Sequence, residues 1–454
     1  MSKASSICIV LAINIFTFLS SFGQTITVRD SSTNELLENI AVFNPQKTKS
    51  ALSNNRGVIK IDAFDDNDII IFQHPSYKTV HYTKDQLKAL NYRLHLSHHI
   101  RLLKEFVLSA SRFEEKKTDI PFRMEIIDHK QIEMLNPQTS ADVLQMTGKI
   151  MVQKSQMGGG SPIIRGFEAN KILLVVDGVR MNNAIYRSGH LQNIITIDNA
   201  ILERTEIIFG PGSVVYGSDA LGGVMHFYTK KPQLAANDTS VNSNLNAYTR
   251  YSSANNEQTV HLDFQFGFRK IGFLTSFTRS DFGDLRMGQV RKKEYPDFGK
   301  VFYYAGRING KDTMLSNDNP NIHKYTGYSQ DNLMQKILYR PNEFLNFALN
   351  FQYSTSSNIP RFDKLNDTLQ GGGLKFAEWY YGPQKRLFTS LNTNFKTKSK
   401  WFDESNLVLA FQKVDEDRIT RKFGKPDKIN REEDVKVYSM NLDFTKKFTF
   451  FFFI

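Results

Sequence analysis

The sequence predicts a mostly β protein with an N-terminal β-sandwich, a small α/β domain, and the N-terminal part of a transmembrane β-barrel of about 22 strands. Three observations lead to this fold class. After residue 232, apolar and polar residues alternate in segments long enough to cross a membrane. Aromatic residues are abundant, with 36 Phe and 18 Tyr against 2 Trp. After the first 23 residues, no apolar run reaches the roughly 18 residues that a helical membrane span requires.

Composition and charge narrow the function classes. The chain has 454 residues, enough for about two to four domains, and a formal net charge of +12. Its basic residues are scattered, so nucleic-acid binding is not predicted, and a basic face towards anionic lipid or an anionic ligand is the better interpretation. The single cysteine, Cys8, lies in the predicted leader, which excludes disulfides and cysteine-based metal sites from the mature chain.

Residues 1–23 have the pattern of a secretory signal peptide. Lys3 precedes an unbroken apolar core over residues 7–19, and small residues follow it. We therefore expect cleavage near Gln24 and export of the mature chain.

Residues 24–97 are predicted to form a separate β-sandwich, because short apolar runs alternate with polar turns. One such run is Ile69–Phe72, which follows the acidic turn Asp65–Asp68. The histidines of this stretch do not have the spacing of metal ligands.

Residues 98–117 are predicted to be a linker that contains an extended apolar segment. The run Phe106–Leu108 stands shortly before the charged residues 113–117. A segment of this kind can add a strand to the sheet of a partner, with backbone hydrogen bonds supplying the affinity. The alternative is that it forms the last strand of the preceding sandwich.

Residues 118–232 are predicted to fold as a small α/β domain. The expected elements are strands at Ile172–Val176, Glu206–Phe209 and Val224–Thr229 and a short helix at Ala141–Met146. The turn Asp177-Gly178 reverses the first strand. Thr139 and Ser140 can cap the helix, and Gly148 ends it.

Three local patterns in this domain become specific when they are taken together. They are Arg165-Gly166 followed by Leu174-Val-Val-Asp-Gly-Val-Arg180, then Ile201–Ile208, then Gly210-Pro-Gly-Ser-Val-Val-Tyr-Gly217 leading into Ala220–Val224 and Thr229–Pro232. Their order and spacing closely resemble the plug domain of TonB-dependent outer-membrane receptors. The landmark residues that carry the resemblance are Arg165, Gly166, Asp177, Gly178, Gly210, Gly212, Tyr216, Gly217, Gly222 and Gly223.

The resemblance extends to the segments in front of this domain. Residues 24–97 are similar to the carboxypeptidase regulatory-like domain that precedes such receptors in Bacteroidetes, a name that implies no peptidase chemistry. The linker resembles a TonB box, the segment to which the periplasmic protein TonB adds as a strand. The candidate residues of this box are Glu105, Phe106, Val107, Leu108, Ser109 and Ala110.

Two further interpretations concern the α/β domain. Gly210–Gly217 lacks the Lys-Ser/Thr pair of a phosphate-binding loop, so we expect its glycines to permit tight turns instead. Charged residues of the domain are candidates for ion pairs between a plug and a barrel wall, and the alternative is that they are ordinary solvated side chains. These candidates are Arg165, Glu203, Arg204 and Glu206.

Residues 233–454 are predicted to supply the barrel strands. Leu262, Phe264 and Phe266 fall on one face of a strand, while His261 and Asp263 fall on the other, which is the apolar-out, polar-in pattern of a membrane barrel. A soluble β-sandwich with one buried apolar face is the alternative. The predicted strands are Leu245–Ser252, Val260–Arg269, Gly272–Ser280, Gln335–Tyr339, Phe344–Ser354, Phe388–Phe395, Leu407–Lys413 and Lys436–Phe444.

The number of strands is small for a plugged barrel. The connections Asp281–Asp331 and Thr355–Lys385 are long and polar, as extracellular loops are. A barrel of about eight strands is filled by its own side chains, whereas plugged transporters have about 22 strands. Because Lys446–Ile454 also lacks alternation, we expect a truncated or frameshifted product that holds the first part of a barrel.

The family resemblance implies a function but no catalysis. It implies an outer-membrane receptor for active uptake of a scarce ligand, energised by TonB and its inner-membrane motor. The segments 357–363 and 374–385 resemble haem and haemoglobin receptors, so haem or a ferric siderophore is the expected cargo, and no intrinsic cofactor or certain metal site is expected. Tyr186 and His190 lie where a plug loop would face outwards and are candidate ligand contacts, since a phenolate or imidazole can ligate haem iron.

Other functions stay open at this point. The same scaffold serves importers of glycans or peptides that work with a surface lipoprotein, and bound iron or haem would discriminate. A non-transporting surface or signalling receptor, or an inactive fragment, is the other class. The expected partners are TonB, outer-membrane lipids and the ligand. The expected location is the outer membrane, with the N-terminal domain and linker in the periplasm.

Overall fold

The computed structural model describes residues 24–31, 33–97, 106–107, 112–113, 115–117, 120–185 and 194–448. The chain divides into two compact units, residues 1–105 and 106–454. Within the described ranges, no helix combines the length and the apolar character that crossing a membrane requires. The predicted signal peptide and the chain end at 449–454 lie outside the described residues.

The first unit has two small sheets that share one core. Its elements are β1 (Thr25–Asp30), β2 (Ala41–Phe43), β3 (Ser50–Leu52), β4 (Val58–Lys60), β5 (Ile70–His74), β6 (Tyr77–Tyr82), α1 (Lys84–Ala89) and β7 (Arg93–Leu96). The sheets have the strand orders β4-β1-β7 and β3-β2-β5-β6. Ile26 and Leu94 of the first sheet and Val42 and Phe72 of the second belong to a single buried cluster. This is the β-sandwich that the alternating short strands predict.

The second unit begins with a small α/β unit, residues 120–229. The preceding linker contributes β8 (Phe106–Val107) and β9 (Glu115–Lys116). The α/β unit contains β10 (Met124–Asp128), α2 (His129–Leu135), α3 (Ser140–Met146), β11 (Met151–Gln153), β12 (Ser161–Ile163), β13 (Ile172–Val176), β14 (Val179–Arg180), β15 (Leu202–Ile208), α4 (Ser213–Tyr216) and β16 (Gly223–Thr229). Short 3-10 turns lie at Ala169–Lys171, Ile194–Thr196 and Asn199–Ile201. Its main sheet has the order β10-β15-β16-β13-β14.

Strand β13 lies between two cores. Ile172, Leu174 and Val176 belong to one buried cluster, while Leu173 and Val175 belong to another on the opposite face. Successive side chains of a strand point to opposite faces, so a strand covered on both sides must be apolar throughout. This explains the unbroken run from Ile172 to Val176.

The local predictions for the α/β unit are confirmed, with differences of one to four residues at the ends of three elements. Asp177 and Gly178 have φ values of 47° and 88°, as the two central residues of a type I′ hairpin turn require. Helix α3 begins after Thr139, and Gly148 follows its end with a φ of 68°. Strand β15 begins at Leu202, earlier than predicted, because Leu202 pairs with Thr229 of β16.

The rest of the second unit is a large antiparallel sheet with small structures in its connections. Its strands are β17 (Asn242–Ser252), β18 (Glu257–Gly267), β19 (Ile271–Phe282), β20 (Leu285–Arg286), β21 (Tyr303–Ile308), β22 (Lys311–Ser316), β23 (Ile322–His323), β24 (Tyr328–Tyr339), β25 (Leu345–Ser356), β26 (Ile359–Pro360), β27 (Phe376–Tyr381), β28 (Lys385–Lys396), β29 (Glu404–Asp415), β30 (Arg418–Lys422), β31 (Lys428–Arg431) and β32 (Asp434–Thr445), with α5 at Phe362–Leu365. The large sheet has eight strands in the order β17-β18-β19-β24-β25-β28-β29-β32.

All eight predicted strands are present in this sheet, and each has 11 or 12 residues. Each strand pairs with the next one in the order, so the connections alternate between the two ends. The connections after β19, β25 and β29 are long and share one end, which we call the loop end. The short connections after β18, β24 and β28 share the other end, which we call the turn end.

The large sheet exposes its apolar face and buries its polar face, which is the opposite of a sheet in a soluble protein. On β18, Leu262 and Phe266 are 41% and 46% exposed, whereas His261 and Asp263 are each 2% exposed. The prediction of opposite faces is confirmed. The alternative of a soluble sandwich that buries its apolar face is wrong, because the buried face is the polar one.

Candidate functional site

The α/β unit lies against the polar face of the large sheet, and side chains of the sheet donate to its backbone carbonyls. Gln412 donates to the carbonyl of Arg180 at 2.8 Å, and Gln330 donates to the carbonyl of Ile195 at 2.7 Å. Arg250 donates to the carbonyl of Pro137 at 2.7 Å. Buried carbonyls need partners, so these polar residues of the strands satisfy a surface that a purely apolar wall would leave unpaired.

Asp177 is the most heavily bonded acceptor of this interface. Its carboxylate accepts hydrogen bonds from the backbone N–H of Thr229 at 2.9 Å and from the hydroxyl of Thr229 at 2.6 Å. From the sheet, Asn350 donates at 2.8 Å and the ammonium of Lys336 lies 3.0 Å away. Lys336 also donates to the carbonyl of Thr229 at 3.1 Å. These contacts of Asp177 with Thr229, Lys336 and Asn350, here called the Asp177 cluster, join one turn of the α/β unit to β24 and β25 of the sheet.

The electrostatics of Asp177 follow from this geometry. Burial alone would raise the pKa of the carboxyl, but Lys336 and the hydrogen bonds from Thr229 outweigh burial, so the pKa lies below its ordinary value. The carboxylate is therefore ionised at neutral pH. A buried ion pair of this kind adds little net stability, yet removing one partner leaves an uncompensated charge.

His226 is a buried neutral base beside the same turn. The backbone N–H of Gly178 donates to Nε2 of His226 at 2.9 Å. An N–H group can only donate, so Nε2 is the unprotonated nitrogen and Nδ1 carries the proton. Nδ1 lies 3.0 Å from the hydroxyl of Tyr228, whose ring stacks on the imidazole. Burial lowers the pKa of His226 to about 3.

The apolar contacts between the α/β unit and the sheet are small and separate. Val179 packs on Phe388 and Val408 in one cluster. Ile185 with Val414, and Ile201 with Leu274 and Met334, form two others. A fourth cluster at the loop end contains Ile195, Phe282, Tyr328 and Ile359. The interface is thus mostly polar, with isolated apolar anchors rather than a continuous core.

The linker approaches the turn end of the sheet. Backbone pairing joins Phe106 to Lys116 and Val107 to Glu115. Arg112 donates to Asp443, near the end of β32, at 3.2 Å, and its guanidinium lies 5.0 Å from the ring centroid of Tyr216.

Comparison with known proteins identifies the α/β unit. A family model described as TonB-dependent Receptor Plug Domain matches residues 116–224. Residues 116–224 are a TonB-dependent receptor plug domain. The match covers the plug domain and none of the large sheet.

Two curated relatives match part of the chain. Both are vitamin B12 transporters named BtuB from Vibrio vulnificus, one from strain CMCP6 with 39% identity over 127 residues and one from strain YJ016 with 34% identity over 126 residues. Each match covers 27% of this chain and 20% of the relative. The chain therefore spans about a fifth of the length of the curated relatives that it matches.

A solved structure shows the wider fold. The FrpB iron transporter from Neisseria meningitidis superposes with a TM-score of 0.53 at 15% identity, over 71% of this chain and 46% of that protein. At this level of identity the likeness concerns fold alone. The chain has the mostly β fold of TonB-dependent receptors, with a plug domain against a barrel-like sheet.

The landmark residues of the plug domain mostly shape its backbone. Arg165 and Gly166 form an exposed hairpin turn between Ile164 and Phe167, with φ values of 50° and 83°. A Cβ on Gly222 would lie 2.3 Å from Cβ of Phe167, so this position has no room for a larger residue. The glycines Gly210, Gly217 and Gly223 have positive φ, Gly212 precedes α4, and Tyr216 is buried at its end.

Ion pairs between the plug domain and the sheet exist, but the two described here are formed by residues other than the four candidates. Arg204 pairs with Glu206 of the same strand at 2.7 Å, so its assignment to the wall is wrong. Two pairs that cross the interface are Asp177 with Lys336 and Lys230 with Asp263.

The candidate ligand contacts Tyr186 and His190 lie outside the described residues, as do Glu105, Leu108, Ser109 and Ala110 of the candidate TonB box. Among the described residues next to the segment 186–193, Ile185 packs near Val414 and Ile195 packs near Phe282. Both partners lie close to the loop end of their strands. Within the described ranges, no group of three or more His, Cys, Asp or Glu is placed to hold a metal ion.

Sequence reasoning missed Lys336 and Asn350 as partners of the plug domain. Both were placed on polar-inward strands, but a single strand does not tell which inward residue meets Asp177. Lys336 is the one charged residue among the inward-facing residues of β24, and this is a signal in the sequence, since an unpaired buried ammonium is costly.

Proposed function

We propose that the chain acts as a TonB-dependent outer-membrane receptor that imports a scarce ligand, an iron complex such as haem or a ferric siderophore. The observation that carries this proposal is a plug domain held by polar contacts on the inner face of a sheet whose outer face is apolar. Neither feature suits a soluble protein, and together they suit a gated passage through a lipid bilayer.

The outer face supports a membrane location. Tyr438 and Met440 on β32 are 77% and 64% exposed, and apolar residues of the other strands continue the same band. Strands of about 9–11 residues suffice to cross a bilayer when tilted, and these have 11 or 12. Lipid covers such a surface at no cost, whereas water does not.

The two ends of the sheet support an orientation. Outer-membrane barrels have short periplasmic turns and long extracellular loops. The loop end would then face the exterior, and the turn end would face the periplasm together with the linker and the sandwich domain. Ile185 and Ile195, which flank the segment 186–193 in the sequence, pack near the loop end, and this supports the proposal that Tyr186 and His190 meet the ligand there.

The linker supplies the coupling to TonB in this proposal. TonB would add as a strand to the segment Glu105–Ala110 and pull. Within the described residues, Arg112 of this linker pairs with Asp443 of the sheet, and a partly exposed ion pair of this kind is weak. Force applied here would reach the plug domain before it reached the sheet.

The cargo rests on two different likenesses. The FrpB neighbour is named an iron transporter, which favours an iron complex. The BtuB relatives are named vitamin B12 transporters, which makes a corrinoid the second candidate. The match to the BtuB relatives covers only about a quarter of this chain. Loops vary most among proteins of one fold, so the long connections that would select a ligand are the parts in which such receptors differ most.

Ligand titration tests the proposal. The chain would be folded in detergent and titrated separately with haemin, a ferric catecholate and cyanocobalamin, with binding followed by absorbance. Saturable binding of an iron complex that Tyr186→Phe or His190→Gln weakens at least tenfold supports the iron assignment. Binding of cyanocobalamin alone would replace it with the corrinoid, and binding of none of the three would overturn the receptor assignment.

A further inference from the structure

Five polar side chains form a hydrogen-bonded network between the plug domain and the large sheet. This network is separate from the Asp177 cluster. The hydroxyl of Thr278 lies 2.5 Å from Oδ2 of Asp198 and 2.7 Å from Nδ1 of His261. Nε2 of His261 lies 3.0 Å from Oδ2 of Asp263, which accepts from Lys230 at 2.8 Å. Asp198 and Lys230 belong to the plug segment of the chain, and the other three residues belong to β18 and β19.

The four residues Asp198, Thr278, His261 and Asp263 of this network are buried. His261 and Asp263 are each 2% exposed, Thr278 is 3% exposed and Asp198 is 6% exposed. Water therefore does not supply alternative partners, and each contact needs a hydrogen of its own. The contacts Asp198–Thr278, Thr278–His261 and His261–Asp263 require three hydrogens between them.

Two ionised carboxylates and a neutral imidazole cannot provide three hydrogens. The hydroxyl of Thr278 carries one, and a neutral imidazole carries one. If Thr278 donates to Asp198, it must accept from Nδ1, and Nε2 must donate to Asp263 at the same time. Both ring nitrogens then carry hydrogen, and the imidazole is charged.

We propose that His261 is held as an imidazolium and that its extra proton latches the plug domain to the sheet. An imidazole takes up a proton more readily than a carboxyl group does, so His261 rather than Asp198 holds it. The proposal concerns how the plug domain is held, and it does not depend on which ligand is carried.

The surrounding charges agree with a charged His261. From the plug domain, Asp198 and Lys230 face the network, and Asp263 faces it from the same strand. From β17, the ring of Tyr248 stacks on the imidazole at 5.0 Å. Two carboxylates against one ammonium leave one negative charge, which the imidazolium cancels. The nearby Arg250 and Glu257 neutralise each other at 2.7 Å.

Loss of the proton would break one of the three contacts. Either Nδ1 or Nε2 would then face an acceptor without a hydrogen between them. Such a loss leaves a buried polar atom unpaired and loosens the segment that Asp198 anchors, including Ala200, whose N–H donates to Oδ1 of Asp198 at 2.9 Å. The extra proton therefore keeps all three contacts, and with them this part of the plug domain, in place on the sheet.

The substitution Asp198→Asn separates this proposal from a merely structural role. An asparagine can keep the bond from Ala200 through its oxygen and donate to Thr278 through its nitrogen. Thr278 would then donate to Nδ1 of a neutral His261, so all three contacts would survive without the extra proton. The variant should fold, keep the interface, and lose the charge on His261.

NMR of the histidine side chains shows directly whether both ring nitrogens of His261 carry hydrogen. The full chain, labelled with nitrogen-15 at its ten histidines and folded in detergent, would be recorded at pH 7.5, with His261→Gln used for assignment. We expect the His261 signals of an imidazolium with two protonated nitrogens, and the signals of a neutral ring in Asp198→Asn. Neutral-ring signals of His261 in the unsubstituted chain overturn the proposal, whatever Asp198→Asn shows.

Discussion

Replacing Lys336 by methionine tests whether the Asp177 ion pair fixes the plug domain to the sheet. Methionine is similar in length and removes the ammonium that lies 3.0 Å from Asp177. Asp177 keeps its bonds from Thr229 and Asn350 but becomes a buried charge without a counter-ion. The effect should appear as easier local opening of the Asp177 turn rather than as loss of the large sheet.

Two estimates limit the loss of stability that Lys336→Met should cause. Removing one partner of a buried ion pair costs about 3–5 kcal/mol. The carboxyl group of Asp177 can also lose its uncompensated charge by taking up a proton. At pH 7, protonation of an ordinary aspartate costs about 4 kcal/mol. We therefore expect about 3–4 kcal/mol at pH 7, a loss of protection of roughly 150- to 900-fold. The defect should shrink as the pH falls towards 4.

Amide hydrogen exchange of the segment 172–181 measures this opening in the folded chain. The double variant Asp177→Asn with Lys336→Met is the matched control, because it removes both charges and should recover to within about 2 kcal/mol of the original protein. If Lys336→Met alone changes the protection less than threefold at pH 7, the ion pair does not hold the plug domain and the reasoning fails.

Three further predictions concern other parts of the second unit. Because burial lowers the pKa of His226 to about 3, the plug domain should lose stability as the pH falls from 6.5 towards 3; at pH 4.5 the loss is about 3 kcal/mol, and exchange of β16 in His226→Gln should lack this dependence. Gly222→Ala should cost about 1–3 kcal/mol through its clash with Phe167, whereas Gly288→Ala, which has open space around it, should leave the midpoint of thermal unfolding unchanged. Leu262→Lys, at the middle of β18 on the apolar face, should reduce the stability of the chain folded in lipid vesicles by about 2–4 kcal/mol, and an effect below about 0.5 kcal/mol would argue against lipid contact there.

The sequence alone determined the features that depend on neighbouring residues. The turn at Asp177 and Gly178 needs two left-handed residues, and its dipeptide is one of few that adopt them readily. The cap of α3 and the strict alternation on β18 likewise follow from local backbone geometry. All eight strands of the large sheet could be placed for this reason, although most of their ends were missed by one to three residues and the start of β24 by seven.

The tertiary structure decided which of the inward-facing polar residues meet the plug domain. Alternation placed His261 on the polar face, but only the pairing of β18 with β19 and the position of the plug domain bring it to Thr278 and Asp198. Lys336 reaches Asp177 across more than a hundred residues of chain, and no local pattern encodes such a pairing. The third long connection, residues 416–433, was missed for a similar reason, since it becomes evident as a loop only when the ends of the strands are known. Local sequence fixes backbone shape because the forces act between near neighbours, whereas the choice of partners follows from packing many elements at once.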